Sequence, residues 1–239
     1  MDYRTAVAVT KRRGPRVRLS DVLRLGTLAA LGVCLLPAGT PPQQADELIQ
    51  RVEVRYNDAR TLQLDFVENF ATQGHARPSE AGQLTLRKQG KMRWDYTRPA
   101  GKLLVSDGKM IYLYTAGDNR VERFPLKTTE DLRAPLAFLL GHLDLKKEFG
   151  SFQVRPEAVG TWLDASAKSD RTAYEKVEML IDGEGAVRQL RVDGREGSSM
   201  QFAFANEKLN LPVEDNAFRF TIPPGAQVVD ALEFGAERR

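Results

Sequence analysis

Apolar residues change their spacing near residue 61 of the chain. Between Ala45 and about Thr61 they recur at helical spacing, which predicts one amphipathic helix with a single apolar stripe. The residues of this stripe are Leu48, Ile49, Val52 and Tyr56. Beyond the helix, apolar residues such as Leu62, Leu64 and Phe66 alternate with polar ones. This period of two predicts half-buried antiparallel strands with one apolar and one polar face.

Short turn sequences separate the alternating runs. Asp-Gly pairs at 107–108 and 182–183 each lie between two such runs, and a third pair at 193–194 precedes another. Glycine accepts the positive φ of the tight turns that join antiparallel strands, so each pair predicts a hairpin, and together they predict a meander. The strands expected around these turns cover 102–106, 109–115, 120–124, 174–181, 186–192 and 199–205, with a last strand at 217–222.

One stretch in the middle of the chain is apolar on nearly all sides. Residues 128–143 open with a polar helix start, and Pro135 fits a first turn, so we expect two short helices. The leucines that follow at helical spacing are Leu132, Leu136, Leu139, Leu140 and Leu143. An insert of this kind must be covered, or must itself cover the apolar face of the sheet.

These elements predict a mainly β fold with an α lid, formed by residues 41–239 as a single domain. A twisted antiparallel sheet with one apolar face has to bury that face, and the N-terminal helix and the insert could occupy its concave side. If the helices fill that side, the domain is simply stable. If they leave a gap, the gap is an apolar cavity that can accept acyl chains. The residue pattern leaves both cases open.

Charge is divided unevenly along the chain, although the formal net charge is +3. Residues 1–44 contain seven basic and two acidic residues, and the remainder contains 28 basic and 30 acidic ones. The folded part is therefore slightly acidic, which argues against nucleic-acid binding. The basic residues at 11–18, the apolar run at 25–36 and the small residues at 38–40 are typical of a secretory signal peptide. We therefore interpret residues 1–40 as a leader, with an uncleaved membrane anchor as the alternative.

The single cysteine, Cys34, lies inside the apolar run of this leader. Cleavage after Ala38 or Gly39 would leave the exported protein without cysteine and therefore without a disulfide. The alternative is that Cys34 is a lipidation site. Against that alternative, Val33 occupies the position where lipidation signals prefer a small residue.

The sequence contains no arrangement of residues typical of an enzyme. His75 and His142 are far apart and there is no cysteine beside either, so a zinc site is not expected. A serine-hydrolase elbow and a glycine-rich phosphate-binding motif are both absent from the sequence. We therefore expect a binding protein without catalytic residues, metal or cofactor, with an enzyme of another class as an alternative.

Several blocks of the sequence resemble the periplasmic lipoprotein carrier (LolA) family. They are the strand pair around Trp94 at 82–99, the Leu-Val-Ser-Asp-Gly hairpin at 104–108, the insert at 135–139 and the closing block at 218–225. The resemblance implies an unclosed antiparallel β-barrel with short helices as a lid over an apolar cavity. It also implies a periplasmic chaperone that carries the acyl chains of lipoproteins from the inner-membrane release ABC transporter to an outer-membrane acceptor.

The resemblance further implies which residues line the cavity and hold the lid. The cavity positions are occupied here by Val52, Tyr56, Phe66, Met92, Trp94, Leu136, Leu139 and Leu140. Ordinary core packing explains any one of these residues equally well. An arginine that holds the family's lid shut is replaced here by Lys88, which lacks the planar fork of arginine, and the neighbouring Arg87 is the other candidate for this latch.

The expected protein is a monomer whose partners are lipoproteins, the release transporter and the acceptor. Two related functions stay open as alternatives. One is the outer-membrane acceptor itself, which would need a lipidated Cys34. The other is a lipid-sensing regulator of envelope stress with the same half-barrel, a class that usually carries a second domain.

Overall fold

The structure is a computed structural model, and it describes residues 41–126 and 143–230. The leader at 1–40, with Cys34, lies outside the described residues. So does most of the expected lid insert, including Leu136, Leu139 and Leu140. Predictions about those residues therefore remain predictions.

Two α-helices and thirteen strands form the described part of the chain. Helix α1 spans Pro41–Asp58 and helix α2 spans Leu145–Glu148. The strands are β1 (Thr61–Thr72), β2 (His75–Ala76), β3 (Glu80–Arg87), β4 (Lys91–Arg98), β5 (Lys102–Asp107), β6 (Met110–Thr115), β7 (Arg120–Pro125), β8 (Phe149–Glu157), β9 (Gly160–Ala167), β10 (Tyr174–Ile181), β11 (Val187–Gly194), β12 (Ser198–Leu209) and β13 (Gln227–Asp230).

All thirteen strands belong to one sheet. Its order is β13-β7-β6-β5-β4-β3-β1-β12-β11-β10-β9-β8, and the short β2 pairs with the end of β1. The pairing of β1 with β12 joins a meander that runs from β3 to β7 to another that runs from β8 to β12. Strands β13 and β8 are the two edges, so the sheet does not close on itself. The expected mainly β fold with an unclosed antiparallel barrel is confirmed.

Helix α1 packs its apolar stripe against one face of the sheet, which we call the inner face. Val52 is completely buried and Ile49 is 1% exposed, whereas Val54 on the opposite side of the helix is 54% exposed. The stripe joins a continuous core with inward residues of the strands, such as Leu84 and Leu190. Because each fully buried side chain of this kind stabilises a fold by about 1.5–3 kcal/mol, burial of the stripe holds α1 on the sheet.

The C-terminal segment differs from the strand expected at 217–222, and that prediction is wrong. Asp215–Phe218 forms a 3₁₀ turn, and the chain joins the sheet only at β13, which runs parallel to β7. Phe218 is buried on the outer face of the sheet, where the guanidinium of Arg87 lies 5.0 Å from the centre of its ring. Phe220 stacks on Tyr112 at 5.3 Å. The alternating aromatic residues of this segment therefore pack on top of the sheet instead of pairing within it.

Candidate functional site

The expected cavity residues that the structure describes lie together on the inner face. Val52 and Tyr56 from α1, Phe66 from β1 and Met92 and Trp94 from β4 belong to, or pack against, one apolar cluster. The strand residues share this face because side chains two positions apart point to the same side of a sheet. The alternation of apolar residues thus predicted correctly which side of β1 and β4 is apolar.

Aromatic rings form a wall around Phe66. The Trp94 ring meets Phe66 edge-on with centroids 4.8 Å apart, and the Tyr96 ring does the same at 5.3 Å. Edge-to-face contacts of this kind stabilise a cluster beyond the area that it buries. In the register of the sheet, Gly82 lies between Phe66 and Tyr96, and a Cβ at Gly82 would lie 2.2 Å from the Asp95 carbonyl oxygen. The absence of a side chain at Gly82 is therefore what lets β3 and β4 approach here.

Parts of the inner face are incompletely covered by the described residues. Phe66 is only 2% exposed, but several apolar side chains that pack against the cluster are partly buried. These are Met92, Tyr96, Leu113, Leu126, Phe152, Val154, Ala167, Met200 and Leu209. A hydrocarbon chain that displaced water from such side chains would gain apolar contact without first breaking the centre of the core.

Tyr56 has a second role that the sequence did not indicate. Its hydroxyl donates to Glu207 Oε2 at 2.7 Å and accepts from the Val187 backbone N–H at 2.9 Å. Arg55 donates to the other oxygen of Glu207 from Nε at 2.9 Å and from Nη2 at 2.7 Å. Burial, and then the negative charge of Glu207, raise the pKa of Tyr56 well above its ordinary value. Tyr56 therefore anchors the end of α1 to β11 and β12 in addition to contributing its ring to the apolar cluster.

Lys88 connects strand β3 to the end of α1. Its ammonium donates to the backbone oxygen of Asn57, one of the carbonyls that have no partner within a helix end. The Asn57 side chain donates to the Leu143 carbonyl oxygen at 2.7 Å and accepts from the Leu143 N–H at 2.8 Å. Glu53 accepts from the Leu145 N–H at 2.8 Å. Lys88 is thus linked through Asn57 to the point where the chain returns from the expected lid insert.

Arg87, the other candidate for the latch, points to the opposite face of the sheet. Its guanidinium donates to the Val213 carbonyl oxygen at 3.1 Å and pairs with the carboxylate of Asp215. Among the described residues, Arg87 therefore holds the C-terminal segment on the outer face. A direct bond between Lys88 and the lid stays a prediction.

An ionisable group borders the apolar inner face. Glu68 follows Phe66 on the same side of β1 and is paired in register with Glu80 on β3. Lys102 forms an ion pair with Glu80 at 2.5 Å, and its ammonium lies 4.4 Å from the centre of the Tyr96 ring. Burial raises the pKa of Glu68 to about 7, and the charge of Glu80 adds to this effect while Lys102 opposes it. Glu68 therefore changes its charge near neutral pH.

We expect Glu68 to make the protein less stable as the pH rises from about 4.5 to about 7. Because its pKa is higher in the folded state, the unfolded chain releases this proton first, and the stability present below about pH 4.5 is lost as the pH reaches 7. Glu68→Gln removes this term, which is worth about 1–3 kcal/mol. The melting temperature of the variant minus that of the wild type should be larger at about pH 8 than at about pH 5. An equal difference at both pH values would contradict the assignment.

A separate groove of about 570 Å³ lies on the solvent side of α1. Charged side chains of both signs line it, among them Glu47, Arg51 and Glu184, beside the apolar Val54. This mixture does not suit a hydrocarbon chain, because a charged group loses its hydration when an apolar ligand covers it. The inner face is therefore the better candidate for an apolar ligand.

Within residues 41–126 and 143–230, no group of three or more His, Cys, Asp or Glu side chains is placed to hold a metal ion. Neither helix of that part of the chain is long and apolar enough to cross a membrane.

The chain is similar to proteins of known family. A family model described as outer membrane lipoprotein carrier protein LolA matches residues 57–221. An outer-membrane lipoprotein carrier protein from Dechloromonas aromatica is 28% identical over 218 residues, which cover 90% of this chain and 99% of that protein. A protein of the same description from Cupriavidus pinatubonensis is 30% identical over 152 residues, covering 63% and 70%. Among solved structures, a LolA-superfamily protein from Nitrosomonas europaea has a TM-score of 0.39 at 9% identity, covering 76% of this chain and 99% of that one.

Proposed function

The chain belongs to the outer membrane lipoprotein carrier (LolA) family, and we propose that it carries lipoproteins by enclosing their acyl chains against the inner face of its sheet. The observation that carries this proposal is the continuous apolar surface that α1, β1, β4 and β12 present on one side of an unclosed sheet. Tyr96 and Met200 are partly buried members of that surface. Their apolar atoms offer contact to a hydrocarbon chain.

The need for such a carrier follows from the energetics of acyl chains. Each methylene that moves from water to an apolar site contributes about 0.8 kcal/mol, so a protein with several acyl chains does not cross an aqueous space unaided. The carrier must shield the chains and also release them without an energy source of its own. We propose that the insert at 128–143 covers the inner face when no cargo is bound. Bound chains then replace the contacts of the insert, which keeps the net affinity modest and transfer reversible.

The route that we propose runs across the periplasm. Residues 1–40 would direct export and be removed, leaving residues 41–239 as a monomeric carrier domain. Cargo would come from the inner-membrane release ABC transporter and go to an outer-membrane acceptor. The support for this route is the signal-like leader together with the family to which the chain belongs.

A test of this function is a release and transfer experiment. The chain from residue 41 onward is added to ATP-supplied inner-membrane vesicles that contain the release transporter and an acylated lipoprotein. We expect the lipoprotein to appear in the soluble fraction with the carrier and then to pass to vesicles that contain the acceptor. The carrier from Dechloromonas aromatica serves as the positive control. Lipoprotein that stays in the vesicles with this chain, but leaves them with the control, would contradict the proposal.

We also propose that Lys88 holds the lid closed through Asn57 and Leu143, on the strength of the contacts between these three residues. Lys88→Met keeps the length of the side chain but removes its charge. We expect this variant to expose the inner face more often, so that an apolar fluorescent dye binds at least several-fold faster in stopped-flow measurements. Lys88→Arg keeps a donor and should bind the dye at nearly the wild-type rate. Identical rates for wild type and Lys88→Met would contradict the latch.

A further inference from the structure

Two buried side-chain oxygen atoms of the described residues have no hydrogen-bond partner. One is Oδ1 of Asp164, which still lies 3.5 Å from the guanidinium of Arg155, so a positive charge balances it. The other is the hydroxyl of Tyr174. The nearby charge that acts on this hydroxyl is the negative one of Glu148, which is not a substitute for an acceptor placed within hydrogen-bond distance. The Tyr174 hydroxyl is therefore the group that requires an explanation.

Tyr174 belongs to the apolar cluster of the inner face and is only 3% exposed. Its ring lies 5.8 Å from that of Phe149, which in turn lies 6.2 Å edge-on from Phe152. Phe149 directly follows helix α2, which begins two residues after Leu143. The hydroxyl is thus embedded in the apolar lining, close to where the chain returns from the insert to the sheet.

A hydroxyl in this position destabilises the protein when no ligand is bound. Burial removes the hydroxyl from water, and the neighbouring aromatic rings provide no hydrogen-bond acceptor. A phenylalanine at this position would therefore make the unliganded protein more stable. Burial, with the charge of Glu148 as the second cause, raises the pKa of Tyr174 to about 12. The group therefore keeps its proton at neutral pH and is available as a hydrogen-bond donor. What is missing is an acceptor that arrives with a ligand.

We infer that the Tyr174 hydroxyl donates a hydrogen bond to the ester carbonyl oxygen of a bound acyl chain. This inference rests on the proposed carrier function. A fatty-acyl ester has a long hydrocarbon part and an acceptor at one end, which matches a lone donor set in an apolar wall. The bond would fix how deeply the chain enters, because the carbonyl can meet the donor at only one position along the inner face. Tyr174 is in this way a ligand-binding residue and not only a core residue.

The test compares two probes that differ in their carbonyl groups, dioctanoylglycerol and the ether-linked dioctylglycerol, on wild type and Tyr174→Phe. In the variant, the affinity for the ester probe should fall about five-fold, the value of one neutral hydrogen bond, and the affinity for the ether probe should not change. The melting temperature of the unliganded variant should be equal to or above that of the wild type, because an unsatisfied hydroxyl has been removed. Infrared spectra of the bound ester should show the carbonyl band of the wild-type complex at lower frequency than that of the variant complex.

The outcomes separate this inference from the carrier function. If both probes lose or keep affinity equally in the variant, the inference is wrong and the carrier function stands. A wild-type complex whose carbonyl band lies where it does in a hydrocarbon solvent would overturn the inference without any variant. If neither probe binds the wild type, the proposed function fails and the inference fails with it.

Discussion

Met92→Glu is expected to abolish lipoprotein transfer while leaving the protein folded. Met92 lies on the inner face of β4, between Leu86 and Ser106 in register, and packs against the apolar cluster while remaining partly exposed. In the empty protein a glutamate at this position can turn its carboxylate toward water. An acyl chain that occupied the face would have to bury that carboxylate, which costs several kcal/mol, so binding should weaken by about a hundred-fold or more. Release and transfer from vesicles, with a thermal melt of the same sample, measure both parts of this expectation.

A matched control places the same charge on the other side of the sheet. Val67 follows Phe66 on β1, is 37% exposed and points to the outer face. Val67→Glu should change stability by no more than about 0.5 kcal/mol and leave transfer intact. Normal transfer by Met92→Glu would show that the inner face does not receive the cargo. An equal loss of transfer in both variants would mean that added negative charge on either face of the sheet prevents transfer, so the result would not identify the inner face as the binding surface.

Glu207→Ala should give the largest loss of stability among simple substitutions of polar residues in the described chain. The Glu207 side chain is 4% exposed and accepts hydrogen bonds from both Arg55 and Tyr56. Its removal leaves the partly buried guanidinium of Arg55 without its carboxylate partner and with only the hydrogen bond to the Glu184 carbonyl oxygen, a change that costs about 3 kcal/mol or more. For a domain of this size, that loss lowers the melting temperature by about 6–12 °C. Chemical denaturation measures the loss in free energy of unfolding, and calorimetry measures the change in melting temperature.

Two further variants separate the ion pair from the hydroxyl. Tyr56→Phe removes both hydrogen bonds of the hydroxyl, the one to Glu207 and the one from the Val187 N–H, and should lower the free energy of unfolding by about 1–3 kcal/mol. The double variant Arg55→Met with Glu207→Met should be more stable than Glu207→Ala alone, because no charge is left without a partner. A loss below about 0.5 kcal/mol for Glu207→Ala would contradict the anchoring role that we assign to this network.

Much of the fold follows from local patterns in the sequence. The apolar stripe of α1 is such a pattern, and the strand expected at 174–181 agrees with Tyr174–Ile181. The three expected hairpins form, but of the three Asp-Gly glycines only Gly108 has a positive φ. In the other two turns the glycines with positive φ are Gly185 and Gly197, and the pair at 193–194 lies within β11.

No strand was expected at β8 or β9, although Phe152 and Val154 of β8 alternate with polar residues. Pro156 argues against a strand in a sequence pattern because it cannot donate to a ladder, and the pairing of β8 with β9 shifts register between Phe149 and Ser151. An edge strand tolerates both features, since one of its sides has no partner.

The strand expected at 217–222 was wrong because alternation alone does not show how a segment packs. Phe218 and Phe220 alternate as in a strand, yet their partners are Arg87 and Tyr112 on the outer face. A period of two indicates that one side of a segment is apolar, but not whether that side packs within a sheet or on top of one.

The apolar half of the candidate site could be predicted, but its polar half could not. Phe66, Met92 and Trp94 were placed on one face by alternation and by the family resemblance. The roles of Asn57 and Glu207 depend on partners far away along the chain, 86 residues for Asn57 with Leu143 and 151 for Tyr56 with Glu207. No local pattern encodes such pairings. An unpartnered hydroxyl such as that of Tyr174 is visible only when all its neighbours are in place.

The carrier role depends on an inner face that opens to acyl chains, and native mass spectrometry of protein purified from the periplasm of its own cells tests this most directly. We predict a species whose mass equals the mature chain plus one acylated lipoprotein. That species should be absent from the Met92→Glu variant and present in Val67→Glu. If only the unliganded chain is found, even after incubation with a detergent-solubilised acylated lipoprotein, the inner face is a closed core and the protein is not a carrier.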